Sequence, residues 1–270
     1  MKDRLTRLYT IFYHGIDAMY YPVNRLKLDT RRDIERRLPY IVKRFSREYT
    51  VKFLGVKKLD PKRLHSTETG LESDKLGLVL KAVLYEGYEA PVIVILGAGG
   101  RLYIYDGHHR SKVNLWLDKL VEAFLIEVRG YKPRIAIPLS KTPVINPPYS
   151  PPEPILTWKH MVNIIWFLES RHNILARVWR EEIDIEELYA TQLIVRYNKR
   201  LISKEIPPVL VYYYDNKYYV IDGHNRVCAA LASGKKRIES IVFTLNREIG
   251  LVKTSEALGR PRFNKQYCKL

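Results

Sequence analysis

The amino-acid sequence predicts an α+β protein: two tandem domains, each a small mixed sheet flanked by helices, behind an N-terminal helical segment. Three observations predict it. An Asp-Gly-His-x-Arg motif occurs twice, as Asp106-Gly107-His108-His109-Arg110 and as Asp222-Gly223-His224-Asn225-Arg226. Each copy follows a short apolar strand pattern and precedes a helical one. The pattern order around the first copy recurs around the second, with a period too long for a solenoid and suited to duplicated domains.

The elements follow in chain order. Residues 1–50 form the helical segment, with Leu5, Leu8, Tyr9 and Phe12, then Ile34, Leu38, Ile41 and Val42, at helical spacing. Pro22 separates two helices. The first domain is predicted over 51–135. It holds a strand at 49–56, a helix at 74–85 stopped by Gly87, a buried strand at 91–96 and a strand at 102–105. A helix at 111–117 and a strand at 121–128 complete it. Prolines from Pro133 to Pro154 mark 136–157 as a connection. The second domain is predicted over 158–270. Its first helix covers 158–182, with Trp158, Met161, Ile165, Leu168 and Trp179 as core, and residues 186–203 are mostly helical. Strands at 208–212, 218–221 and 238–243 surround a helix at 227–233, and residues 249–259 form a terminal helix.

Composition bounds the partners. Hydrophobic residues make up 46% of the 270 and charged residues 28%, enough for a packed core under a charged surface. The net charge of +17 attracts anions, whether nucleic acid, nucleotide or phosphorylated metabolite, without choosing among them. The two cysteines are too few for a disulfide framework and lack metal-ligand spacing; Cys228, in an apolar run, reads as core. The start Met1-Lys2-Asp3-Arg4 has no secretory apolar region, and no apolar stretch reaches membrane-spanning length. A cytoplasmic protein without a membrane partner is expected.

The motif carries chemistry. The strand delivers Asp106 to the sheet edge, and Gly107 allows a tight turn. The helix that starts at His108 and His109 presents free backbone N–H groups and the positive end of its dipole, which suits a phosphate. Arg110 adds a two-pronged phosphate donor, with Ser111 beside it. The histidines can donate hydrogen bonds or move protons. Asp106 can hold a metal, orient a hydroxyl or cap the helix.

The strand–Asp-Gly-His-His-Arg–helix unit resembles the ParB/sulfiredoxin-like fold, and within it the archaeal free serine kinases. The resemblance covers residues 51–130 well and 183–243 more loosely. It implies a kinase of serine metabolism that uses ADP or ATP with Mg²⁺ to phosphorylate free L-serine. It implies phosphate or nucleotide binding by Gly107, His108, His109, Arg110 and Ser111, catalytic parts for Asp106 and His108, and Asp106 as a Mg²⁺ ligand. The family's upstream catalytic base falls on Glu68, with Glu72 as a neighbouring alternative. In the second copy Gln192 stands where Glu68 stands and Asn225 where His109 stands. An amide cannot act as a general base, so Asp222, Gly223, His224, Asn225 and Arg226 are expected to form a degenerate site. The alternative is a ParB-like, nucleotide-dependent DNA-binding protein or nuclease, which the basic charge suits. Sulfiredoxin chemistry needs a motif cysteine, absent from the first copy.

Overall fold

The computed structural model describes residues 26–148, 151–193, 195 and 206–268. Leu5, Leu8, Tyr9, Phe12 and Pro22, and half of the helix expected at 186–203, lie outside them. The chain divides into two compact units, Met1–Ser170 and Arg171–Leu270. Among the described residues no helix is long and apolar enough to cross a membrane.

In the first unit α1 (Arg31–Phe45) opens with a capping box. Thr30 Oγ1 accepts from the Asp33 amide, and the Asp33 carboxylate accepts from the Thr30 amide. The helix buries Ile34, Ile41 and Phe45 against Ile93, Ile95, Phe124, Ile126 and Val128 of the sheet. Then follow β1 (Val51–Leu59), β2 (Leu64–Ser66), β3 (Leu71–Glu72), α2 (Ser73–Tyr85), β4 (Val92–Leu96) and β5 (Leu102–Asp106). After them come α3 (His108–Trp116), β6 (Val121–Val128), β7 (Ile137–Pro138), β8 (Val144–Ile145) and α4 (Glu153–His172). The main sheet runs β1-β6-β4-β5-β2-β7, and β3 and β8 form a separate pair.

The second unit contains β9 (Arg177–Asp184), β10 (Leu188–Tyr189), β11 (Val209–Tyr214), β12 (Lys217–Asp222), α5 (His224–Ala232), β13 (Arg237–Thr244) and α6 (Gly250–Ala257). Its sheet runs β9-β13-β11-β12-β10. Read from β1 and from β9, the two sheets share one sequence of pairings: antiparallel, parallel, antiparallel, parallel. One irregularity agrees as well, whereas the shift in β1 between Phe53 and Val56 has no counterpart in β9. The register slips between Ile93 and Val94 where β4 meets β5, and between Leu210 and Val211 where β11 meets β12. Each slip lies beside the motif aspartate, Ile93 opposite Asp106 and Leu210 opposite Asp222. Such a bulge bends the strand end that presents the motif.

Four expectations are corrected. The helix expected at 158–182 ends at His172, and Trp179 lies on β9. Trp158, Met161, Ile165 and Leu168 are buried as expected. Periodicity overran there because Trp179 stands at a helical interval from Leu168 yet packs from β9 against the second unit's core. The described start of the 186–203 segment is a 3-10 turn followed by β10. The unit boundary falls at Ser170/Arg171 and not in the Pro-rich 136–157, because that stretch supplies β7 and β8 and α4 packs on the first unit. Gly77 of α2 is the contact point: a Cβ there would lie 2.9 Å from the Lys159 amide nitrogen. Finally, Cys228 is buried but not free; it forms a disulfide with Cys268.

The fifth residue of each motif helix anchors it in a different way. In α3 it is Lys112, fully buried, with Nζ 2.7 Å from Glu169 of α4 and near the faces of Trp116 and Trp166. Trp116 Nε1 donates to the other oxygen of Glu169 at 2.5 Å. In α5 it is Cys228, bonded to Cys268.

Candidate functional site

Gly107 forces the turn between β5 and α3. It has φ 93° and ψ 30°, and a Cβ there would meet Val92 Cγ1 at 2.5 Å. Only glycine takes this backbone and this proximity together. Gly223 repeats it, with φ 103° and a Cβ 2.7 Å from Val209 Cγ1. The helix therefore starts at His108 rather than at residue 111.

His108 is buried and held at both ring nitrogens. The Thr67 amide donates to Nε2 at 3.2 Å, and Thr67 Oγ1 lies 3.0 Å from it while donating to the Ile104 carbonyl. Nε2 is thereby the acceptor, so Nδ1 carries the hydrogen and directs it at Glu68 Oε1, 3.2 Å away. Burial pushes the imidazole down to about 4, a fall that the nearby Arg110 reinforces, so the ring is neutral near pH 7. Burial also raises the Glu68 carboxyl above its ordinary value, against the pull of Lys75 and with help from Asp106. Glu68, Lys75, Asp106, Gly107, His108 and His109 all line one cavity of about 280 Å³.

The other expected residues are placed differently. Arg110 lines the cavity but is nearly buried and turned onto protein groups: Asp106 Oδ2 at 3.4 Å, Tyr88 Oη at 3.3 Å and Asp29 Oδ2 at 3.7 Å. It braces the loop rather than offering a free fork. Asp106 Oδ2 is shared with Arg37 at 3.3 Å, and α3 has no side-chain cap, so the capping role is not what Asp106 does. His109 Nε2 accepts from the Glu72 amide at 3.1 Å. The Glu72 carboxylate pairs with Lys75 at 2.5 Å and is not part of the cavity lining. Ser111 is fully buried and away from the cavity. Among the described residues no group of three or more His, Cys, Asp or Glu is placed to hold a metal ion, and Asp106 is the one carboxylate of the motif itself.

Sequence reasoning passed over Thr67, Asp29, Tyr88 and Arg37. Thr67 had a signal, because Thr191 occupies the matching place in the second copy. The others reach the site only through packing.

In the second copy the Thr191 amide donates to His224 Nε2 at 3.1 Å, and Thr191 Oγ1 donates to the Val220 carbonyl. His224 is likewise pushed down to about 4 by burial, with Asp222 opposing. Arg226 pairs with Asp222 at 2.6 Å and donates to the Pro208 carbonyl. His224 Nδ1, however, is buried without a hydrogen-bond partner among the described residues, and Gln192 is exposed.

No family model matches the chain. No curated protein matches it either. Among solved structures it is similar to the C-terminally truncated chromosome-partitioning protein ParB from Caulobacter crescentus complexed with CTP-gamma-S. The identity is 21%, over 32% of this chain and 56% of that one, with a TM-score of 0.21. The match thus spans about half of that chain's length, and so slight a likeness carries over neither fold nor ligand.

Proposed function

We propose that the first repeat is a phosphotransferase site that moves a phosphoryl group from ADP or ATP to a small hydroxyl-bearing acceptor, with free L-serine as the leading candidate. The observation behind this reading is the Thr67–His108–Glu68 chain at a cavity beside the α3 N-terminus. His108 donates to Glu68 and fixes its orientation. Glu68, with its proton affinity raised, takes the acceptor's hydroxyl proton as the oxygen bonds to phosphorus. The bond from phosphorus to the nucleotide breaks, and the nucleotide leaves with the electron pair. The α3 N-terminus faces the phosphate charge, and Arg110 and Arg37 keep Asp106 in place behind it. The DNA-binding alternative has the net charge behind it, and among the described residues α6 is a single short helix at the end of the second unit.

The test is direct. Purified protein is incubated with ADP or ATP, Mg²⁺ and a panel of free amino acids, and phosphoserine is assayed. Glu68→Gln is expected to lower turnover by roughly 100-fold or more, the usual worth of a positioned general base. Full activity in that variant removes Glu68 from the mechanism. No product with any acceptor, together with salt-sensitive binding to duplex DNA, overturns the kinase reading.

A further inference from the structure

The second copy keeps the histidine arrangement but loses its partner. Thr191 pins His224 at Nε2 as Thr67 pins His108, so the ring is held the same way and Nδ1 carries the hydrogen. In the first copy that hydrogen meets the Glu68 carboxylate. In the second, residue 192 is glutamine, and Nδ1 is buried with no partner among the described residues. A buried donor left unmade is costly, and what it lacks is an acceptor oxygen, which in the first copy is a carboxylate. The donor lies beside the N-terminus of α5, a nine-residue helix.

The segment from Pro261 to Cys268 lies over this place. The Ala190 amide donates to the Pro261 carbonyl at 2.9 Å, and Tyr189 bridges to Arg262 in the position β7 takes beside β2. Phe263 packs on His224, with ring centroids 5.7 Å apart, and Tyr267 packs on Phe263. Tyr267 Oη donates to the Gln192 carbonyl at 2.5 Å. Cys268 then bonds to Cys228 of α5 itself. The turn that carries Tyr267 and Cys268 belongs to neither sheet nor helix, so side-chain packing in the core and the disulfide are what hold it.

We propose that the second motif is a phosphate-binding site without turnover, and that the Cys228–Cys268 disulfide gates it. With the disulfide formed, Tyr267 backs Phe263, and Phe263 covers His224. A dithiol reductant breaks the S–S bond; two electrons and two protons pass to Cys228 and Cys268 as thiols, and the reductant becomes a disulfide. The turn then holds by the Tyr267–Gln192 hydrogen bond and by packing alone. Its release brings a phosphate oxygen to His224 Nδ1–H, where the first copy keeps its own carboxylate. Gln192 cannot take a proton, so the ligand binds and does not react.

The experiment uses the full chain and inorganic phosphate as probe, read by hydrogen exchange, oxidised and after dithiol treatment. In the reduced protein, phosphate at ten times its Kd is expected to slow exchange of the first α5 amides roughly tenfold, and not in the oxidised protein. His224→Ala should lose the effect, and Cys268→Ser should show it without reductant. Exchange in β11 and β13 is read in the same run. Loss of protection there means reduction unfolds the unit, and the gate is refuted. Equal phosphate protection in both redox states also refutes the gate, and none in either refutes the site. The readout is confined to α5 and needs no turnover, so it stands or falls apart from the kinase reading.

Discussion

His108 and His224 are neutral donors set into protein, each lowered from 6.5 to about 4 chiefly by burial. Between those values the unfolded chain takes up a proton at each histidine that the folded chain refuses. Stability is therefore full above about pH 6.5 and falls as pH drops toward 4, by about 3 kcal/mol per histidine. Urea midpoints at pH 7, 5 and 4 should show this slope, and His224→Gln should flatten part of it; a midpoint constant over that range contradicts the assignment. Glu68 acts in the opposite sense. Its raised carboxyl favours the protonated folded form, so its contribution is lost as pH rises through that value. For catalysis the same shift places the acid limb of the activity profile above the ordinary carboxylate range, and Glu68→Gln should remove that limb along with most of the activity.

The motif helices are the elements on which both sites depend, and their anchors are unlike. The Lys112–Glu169 pair sits in the core between α3 and α4. Removing one partner leaves the other charge buried and uncompensated, so Lys112→Met is expected to cost about 3–5 kcal/mol in denaturant titration. Lys112→Met with Glu169→Gln should recover part of that, since the remaining amide can still accept from Trp116 Nε1. A double variant no more stable than the single one would show that packing, not charge, holds the helix. The sequence marked α3 and its strand, though not the first turn of the helix, because the continuous apolar runs of β4 and β5 and the Gly107 break are local signals. It did not mark the roles of Arg110 and Lys112. An arginine after a glycine reads as a phosphate donor, and a lysine reads as surface, until packing gives each a carboxylate.

At the scale of the whole chain, two units share one strand order, one bulge and one histidine geometry, and differ in what faces Nδ1. The net charge of +17 is a separate property of the surface. The full chain is expected to bind duplex DNA at low salt with an affinity that falls linearly on logarithmic axes as salt rises. Glu68→Gln should leave that slope and affinity unchanged. A large change in DNA affinity in this variant would tie the first site to nucleic acid and count against its reading as a small-molecule site.

The sequence by itself determined the doubled motif, the strands and helices on either side of it, and the replacement of Glu68 by Gln192, because these are written in local residue type and spacing. Tertiary structure alone decided the rest. It turned Arg110 inward onto Asp106, gave His108 its tautomer through Thr67, placed α4 on the first unit and joined Cys228 to Cys268. The physical reason is the same in each case. A buried polar or sulfur group is defined by its partner, and these partners lie between four and 57 positions away along the chain, brought close only when the sheet and its helices pack.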